Sequence, residues 1–86
     1  MASYKIEVSA TAEKQLRKLG KENRHRIIEA ISSLAKTPRP TGCRKLKGFE
    51  DVYRIRVGTY RLIYNINNKQ VLIIILKVGH RKHVYR

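Results

Sequence analysis

The most restrictive feature of this chain is a change of hydrophobic period near its middle. From Val52 to Val57, Tyr53, Ile55 and Val57 alternate with Arg54 and Arg56; beyond Gly58-Thr59 the alternation resumes with Tyr60, Leu62, Tyr64 and Ile66. A period of two sends successive side chains to opposite faces, so these segments predict β-strands with one face on a core. Asn67-Asn68 is a hairpin signal because Asn tolerates positive φ. Val71 to Val78 is nearly continuously apolar, as expected of a strand covered on both faces. Arg44 to Lys47 reads as a short strand closed by Gly48. Upstream, Tyr4, Ile6 and Val8 alternate with polar residues, and helical spacing then takes over with Ala12, Leu16 and Leu19. Ser9 is the expected N-cap of that first helix, and Gly20 its expected left-handed C′ residue. Ile27, Ile28, Ile31, Leu34 and Ala35 form the expected buried stripe of a second helix, which Thr37-Pro38 stops. The expected fold is α+β: an N-terminal strand and a two-helix hairpin packed on a three- to four-stranded antiparallel sheet, one domain over residues 1–86.

Charge narrows the choice of partner. The 86 residues carry 20 Lys+Arg against 6 Asp+Glu, a formal net charge of +14. A field of that sign concentrates polyanions at the surface, so RNA or another polyanion is the expected partner. An acidic protein meets the same argument. Cys43 is the single cysteine, which excludes an internal disulfide and a cysteine metal cluster. His25, His80 and His83 lack ligand spacing with nearby carboxylates or thiols, so no metal is expected. No signal peptide is visible, and the longest apolar run is too short to span a bilayer. A reducing, cytoplasmic setting with no membrane contact is the expectation.

Alternation also locates the chemistry. Arg54 and Arg56 leave their strand on one face, and Arg61, out of phase with Tyr60 and Leu62, can join them from the next. Arg81 and Tyr85 follow the long apolar strand and can fold over the same surface. Guanidiniums bind phosphate through paired donors, and an aromatic ring can stack on an unpaired base. Tyr53, Tyr60 and Tyr64 read as packing residues and Cys43 as a bystander. Lys14, Lys18 and Lys21 read as a basic helix face open to solvent or to nucleic-acid backbone.

The stretches Val52-Tyr53-Arg54-Ile55-Arg56-Val57, Gly58-Thr59-Tyr60-Arg61-Leu62-Ile63-Tyr64 and Val78-Gly79-His80-Arg81-Lys82-His83-Val84-Tyr85-Arg86, with the turn Lys45 to Gly48, stand in this order. Together they resemble the RelE toxins of the RelE/ParE superfamily over nearly the whole chain. The resemblance implies the RelE-like microbial RNase fold and the toxin of a type II toxin–antitoxin system. Such a toxin enters the ribosomal A site, contacts rRNA, and cuts mRNA there by 2′-hydroxyl attack without a metal or small-molecule cofactor. It is silenced by a cognate acidic antitoxin of the RelB kind. By the same resemblance Arg61 neutralises the phosphorane and Arg81 supports phosphate or leaving-group charge. Tyr85 stacks on the base or moves a proton. Arg54 and Arg56 stand where several relatives carry lysine, and serve as electrostatic stabilisers because arginine keeps its charge. Lys45, Lys47, His80, Lys82, His83 and Arg86 are the expected further RNA contacts. His83 stands where an acidic residue is common, so an imidazole acid or base is open there. Two alternatives share the fold: a ParE-like inhibitor of DNA gyrase, and an RNA-binding translation blocker without turnover.

Overall fold

The computed structural model describes residues 3–80. Strand β1 (Lys5–Val8) leads into helix α1 (Ala10–Arg17) and helix α2 (Lys21–Leu34), followed by β2 (Arg44–Lys45), β3 (Val52–Val57), β4 (Tyr60–Asn67) and β5 (Leu72–His80). The strands form one five-stranded sheet in the order β1-β5-β4-β3-β2. β2 to β5 form the expected antiparallel meander, and the expected N-terminal strand adds a fifth at its β5 edge. β1 joins β5 in parallel, while β2–β3, β3–β4 and β4–β5 are antiparallel.

Ser9 caps α1 as its residue type favours: its hydroxyl oxygen accepts from the Ala12 amide at 3.1 Å. Gly20 departs from expectation. It is extended, at φ −61° and ψ 155°, and serves as the N-cap of α2 rather than a left-handed end to α1. Helix α1 has already ended at Lys18, whose amide donates to the Gln15 carbonyl at 3.2 Å, so Gly20 only opens the second helix.

Both helices cover the same face of the sheet. Ala12, Ile27, Ile31 and Leu34 pack on Tyr53, Ile55, Leu62, Tyr64, Ile66, Ile73, Ile75 and Val78 in the main core. Ile28, expected in the buried stripe, is 47% exposed, because α2 presents only one narrow face to the sheet. Fully burying an aliphatic side chain of this size stabilises by about 1.5–3 kcal/mol, so Ile27 and Leu34 hold α2 in place. Among the described residues, no helix covers the other sheet face. Val52 and Ile63 are buried there under Leu46 and Leu76 in a small second cluster. This cluster explains the apolar run of β5, which is not covered on both faces: Leu72, Ile74 and Leu76 remain half-buried.

The β4–β5 connection also differs from expectation. Its left-handed residue is Val71, at φ 52°, and neither Asn67 nor Asn68 has positive φ. Asn67 serves instead through its side chain, whose oxygen accepts from the Gln70 amide at 3.0 Å.

β5 carries a register shift opposite Ile63/Tyr64: Tyr64 pairs with Ile75 and Ile63 with Lys77, leaving Leu76 as the extra residue. After this bulge the alternation changes phase, so Val78 is buried in the main core. Helix α1 closes over the irregular backbone. The Ser9 hydroxyl donates to the Leu76 carbonyl at 3.1 Å, and the Val78 amide donates to the Gln15 side-chain oxygen at 2.7 Å.

Candidate nucleic-acid interface

β3 alternates two chemistries. Tyr53 and Ile55 enter the core, so Arg54 and Arg56 face the helix-free side. Pairing then adds neighbours on that side: Arg61 of β4 stands across from Arg56, and Arg44 of β2 across from Arg54. The tight β3–β4 turn that fixes this register needs a left-handed residue, supplied by Gly58 at φ 62°. Arg44, Arg54, Arg56 and Arg61, with Gly42, line a cleft of about 300 Å³. Arg54 and Arg61 are half-buried, while Arg44 and Arg56 are exposed. Lys77 extends the basic surface, placed by the bulge across from Ile63 on the same face.

The segment leading into β2 is anchored from below. The Tyr64 hydroxyl, beneath the sheet, donates to the Pro38 carbonyl at 2.7 Å, and the Arg39 guanidinium lies 5.4 Å from the centre of the Tyr53 ring. Tyr53 and Tyr64 stack on each other with centroids 6.1 Å apart. The Cys43 amide donates to the Pro40 carbonyl at 3.0 Å, and Leu46 donates to the Val52 carbonyl at 2.9 Å. Burial, and then the adjacent Cys43 thiol, push the Tyr64 phenol well above its ordinary range, so it serves here as a donor and not as a base.

Negative charge is kept elsewhere. Glu13, Glu22 and Glu29 pair with Arg17, Arg26 and His25 along the helices. Among the described residues, no carboxylate lines the cleft. Four guanidiniums therefore share one concavity without an acidic side chain between them, which favours a ligand with phosphate oxygens.

The expected site residues divide by position. Arg54, Arg56 and Arg61 are brought together. His80 is not: it follows the phase of buried Val78, pairs with Tyr60, and packs edge-to-face against that ring at 5.9 Å on the helix-covered side. Lys45 and Lys47 line a separate open depression with Leu46, Gly48, Phe49 and Glu50. Arg81, Lys82, His83, Tyr85 and Arg86 lie outside the described residues. Arg44 is the cleft residue that alternation alone did not reveal. Its phase matches that of Leu46, whose apolar side chain suggests the main core but packs instead in the cluster on the helix-free face. Counting back through the β2–β3 turn was the one signal available.

A mostly antiparallel sheet with two helices on one face and clustered guanidiniums on the other defines a small basic α+β protein. Residues 6–85 match the family model described as ParE toxin of type II toxin-antitoxin system, parDE. The chain belongs to the RelE/ParE superfamily of toxins of type II toxin–antitoxin systems. It is 31% identical over 84 residues to the toxin RelG of Mycobacterium tuberculosis, covering 96% of this chain and 97% of that one. It is 29% identical over 82 residues to the mRNA interferase toxin RelE of Escherichia coli K12, covering 93% and 85%. The crystal structure of the archaeal RelE–RelB complex from Pyrococcus horikoshii OT3 superposes with a TM-score of 0.83 at 33% identity, covering 95% and 99%.

Proposed function

We propose that this toxin is a ribosome-dependent mRNA endonuclease that cuts codons in the A site. The observation that carries the reading is the cleft of Arg44, Arg54, Arg56 and Arg61, whose lining has four cationic side chains and, among the described residues, no acid. The mRNA interferase activity named for the Escherichia coli relative supports it. In the proposed reaction the 2′-oxygen of one nucleotide attacks the adjacent phosphorus, and the bond from phosphorus to the 5′-oxygen breaks. The products are a 2′,3′-cyclic phosphate and a 5′-hydroxyl; the 2′-hydroxyl proton leaves and the 5′-oxygen gains one. Negative charge accumulates on the phosphorane oxygens, where preorganised guanidiniums act most strongly. Arg61 and Arg81 take that charge, Arg54 and Arg56 strengthen the field, and Tyr85 stacks on the base. Lys45, Lys47, His80, Lys82, His83 and Arg86 are assigned to the surrounding RNA.

No metal enters this scheme, since the guanidiniums provide the cationic stabilisation that metal ions lend other phosphoryl-transfer sites. Guanidiniums do not release protons readily, so the cleft arginines orient and stabilise but do not act as bases. The ribosome supplies substrate geometry, and free RNA is cut poorly. A cognate RelB-like antitoxin, of the kind crystallised with the Pyrococcus toxin, belongs to the same reading; its acidic surface would cover the basic cleft.

Primer extension of mRNA in a translation extract tests the reading. Cuts within A-site codons are expected, and Arg61→Ala should slow single-turnover cleavage by about two to three decades, the usual cost of one preorganised charge donor. A loss below threefold would remove Arg61 from the mechanism. The family model's description favours one second reading, a ParE-like block of DNA gyrase. Inhibited supercoiling with intact mRNA would decide for it.

A further inference from the structure

The turn between β2 and β3 displays an aromatic ring that packs in neither hydrophobic cluster. Among the described residues Phe49 is the most exposed large hydrophobic, at 62%. A single exposed apolar side chain is ordinary. This one stands on a turn fixed at both ends. Leu46 is anchored in the small cluster with Val52 and Ile63, and its amide donates to the Val52 carbonyl at 2.9 Å, closing the segment between them. The Asp51 carbonyl accepts from the Ile66 amide at 2.8 Å. Gly48 at φ 82° and Asp51 at φ 57° bend the chain, and Phe49 and Glu50 stand between the two bends. A ring held this way is ordered before a ligand arrives, which lowers the cost of binding.

Phe49 shares an open depression of about 520 Å³ with Lys45, Leu46, Lys47, Gly48 and Glu50. Three chemistries meet there. The Phe49 ring offers a face on which a base can stack. Lys45 and Lys47, both exposed, offer ammonium groups to a phosphate. Glu50 is exposed as well, and among the described residues no ion pair engages its carboxylate. An acid opposes a phosphate but suits a pair of N–H donors. Guanine presents two adjacent donors, N1–H and the N2 amino group, on its Watson–Crick edge. Adenine and cytosine set one donor beside an acceptor, and uracil sets one donor between two acceptors. The two oxygens of a carboxylate therefore match guanine best.

We propose that the β2–β3 turn is a guanine-binding site for single-stranded RNA. The base stacks on Phe49, its N1–H and N2 amino group donate to Glu50, and Lys45 and Lys47 meet the attached phosphate. The site is separate from the arginine cleft and takes no part in the reaction proposed there. It deepens the RNA-substrate reading above and rests on it for the source of the guanine.

The test titrates the four ribonucleoside 5′-monophosphates separately onto the full chain, followed by NMR. The phosphate is common to all four, so attraction to other basic surfaces cancels from the comparison. Guanosine monophosphate should shift the Gly48, Phe49 and Glu50 amides and move the Phe49 ring protons upfield, the mark of stacking. It should bind there about tenfold more tightly than the other three, as a charge-assisted pair of hydrogen bonds provides. Glu50→Gln presents one acceptor and one donor, which matches the edges of adenine and cytosine, so the guanine preference should be lost. Phe49→Leu keeps an apolar side chain without a stacking face and should weaken binding at the turn about tenfold. The amide spectrum of each variant reports that the sheet is intact. Equal affinity for the four nucleotides, a guanine preference that survives in Glu50→Gln, or a turn that responds to an acidic antitoxin peptide but to no nucleotide overturns the proposal. The primer-extension assay is independent: guanine binding at the turn without A-site cleavage defeats the nuclease reading alone, and A-site cleavage with a silent turn defeats this proposal alone.

Discussion

Val71 adopts a conformation that its side chain opposes. A β-branched residue at φ 52° places Cβ against its own backbone, costing about 1–2 kcal/mol relative to extended geometry. The position is tolerated because the Val71 carbonyl accepts from the Lys5 amide at 2.9 Å, tying the turn to the edge strand. Val71→Asn keeps that carbonyl and removes most of the strain. We expect it to raise unfolding stability by about 1 kcal/mol, read as a higher urea midpoint at unchanged slope. Tyr64 presents the reverse case, a polar group whose burial is compensated. Tyr64→Phe removes the donor to the Pro38 carbonyl and should cost about 1–2 kcal/mol. Because burial raises the folded-state phenol above its ordinary value near 10, the folded state holds this proton more tightly than the unfolded chain. Its contribution is complete below about pH 10 and is lost as pH rises further. The difference in stability between wild type and Tyr64→Phe should therefore shrink in that alkaline range, as measured by urea unfolding at successive pH values.

The bulge in β5 decides which of its side chains share the arginine face. Uninterrupted alternation after Ile73 and Ile75 would bury position 77 and turn position 78 outward. The extra residue Leu76 instead buries Val78 and sends Lys77 to the arginine face. Gln15 stabilises this arrangement by accepting from the Val78 amide. Gln15→Leu leaves that partly buried donor unsatisfied, so a loss of about 1–3 kcal/mol is expected, with faster amide exchange at Val78 than at Ile73. The same element shows what was legible in the sequence. Strict alternation in β3 and β4 displayed Arg54, Arg56 and Arg61 on one face, since each is flanked by core residues of opposite phase. The run Leu72 to Val78 contains no polar residue before Lys77, so nothing in it marks where the phase changes. For the same reason the run does not announce that the bulge turns His80 toward Tyr60. Gly20 was misread for another: an extended cap and a left-handed stop both favour glycine, and only the short helix–helix joint distinguishes them.

Across the whole molecule, charge and topology separate along the same two layers. The helical layer holds three acid–base pairs, while the open sheet face holds the cleft arginines. Topology joins distant parts of the chain. β1 completes the sheet by parallel pairing with β5, and the Ser9–Leu76 hydrogen bond beside that seam links residues 67 positions apart. The β2–β3, β3–β4 and β4–β5 pairings are local in sequence. Non-local closure carries the larger entropic cost and tends to follow local pairing. Ile6→Val in β1 should therefore speed unfolding and leave the refolding rate within about twofold, whereas Ile66→Val in β4 should slow refolding; stopped-flow chevrons in urea measure both. Slower refolding in Ile6→Val would place β1 in the folding nucleus. On that expectation β1, the first strand described, is the last to dock. Synthesis and assembly would then run in opposite order, with the arginine cleft on β2, β3 and β4 taking shape before β1 closes the sheet.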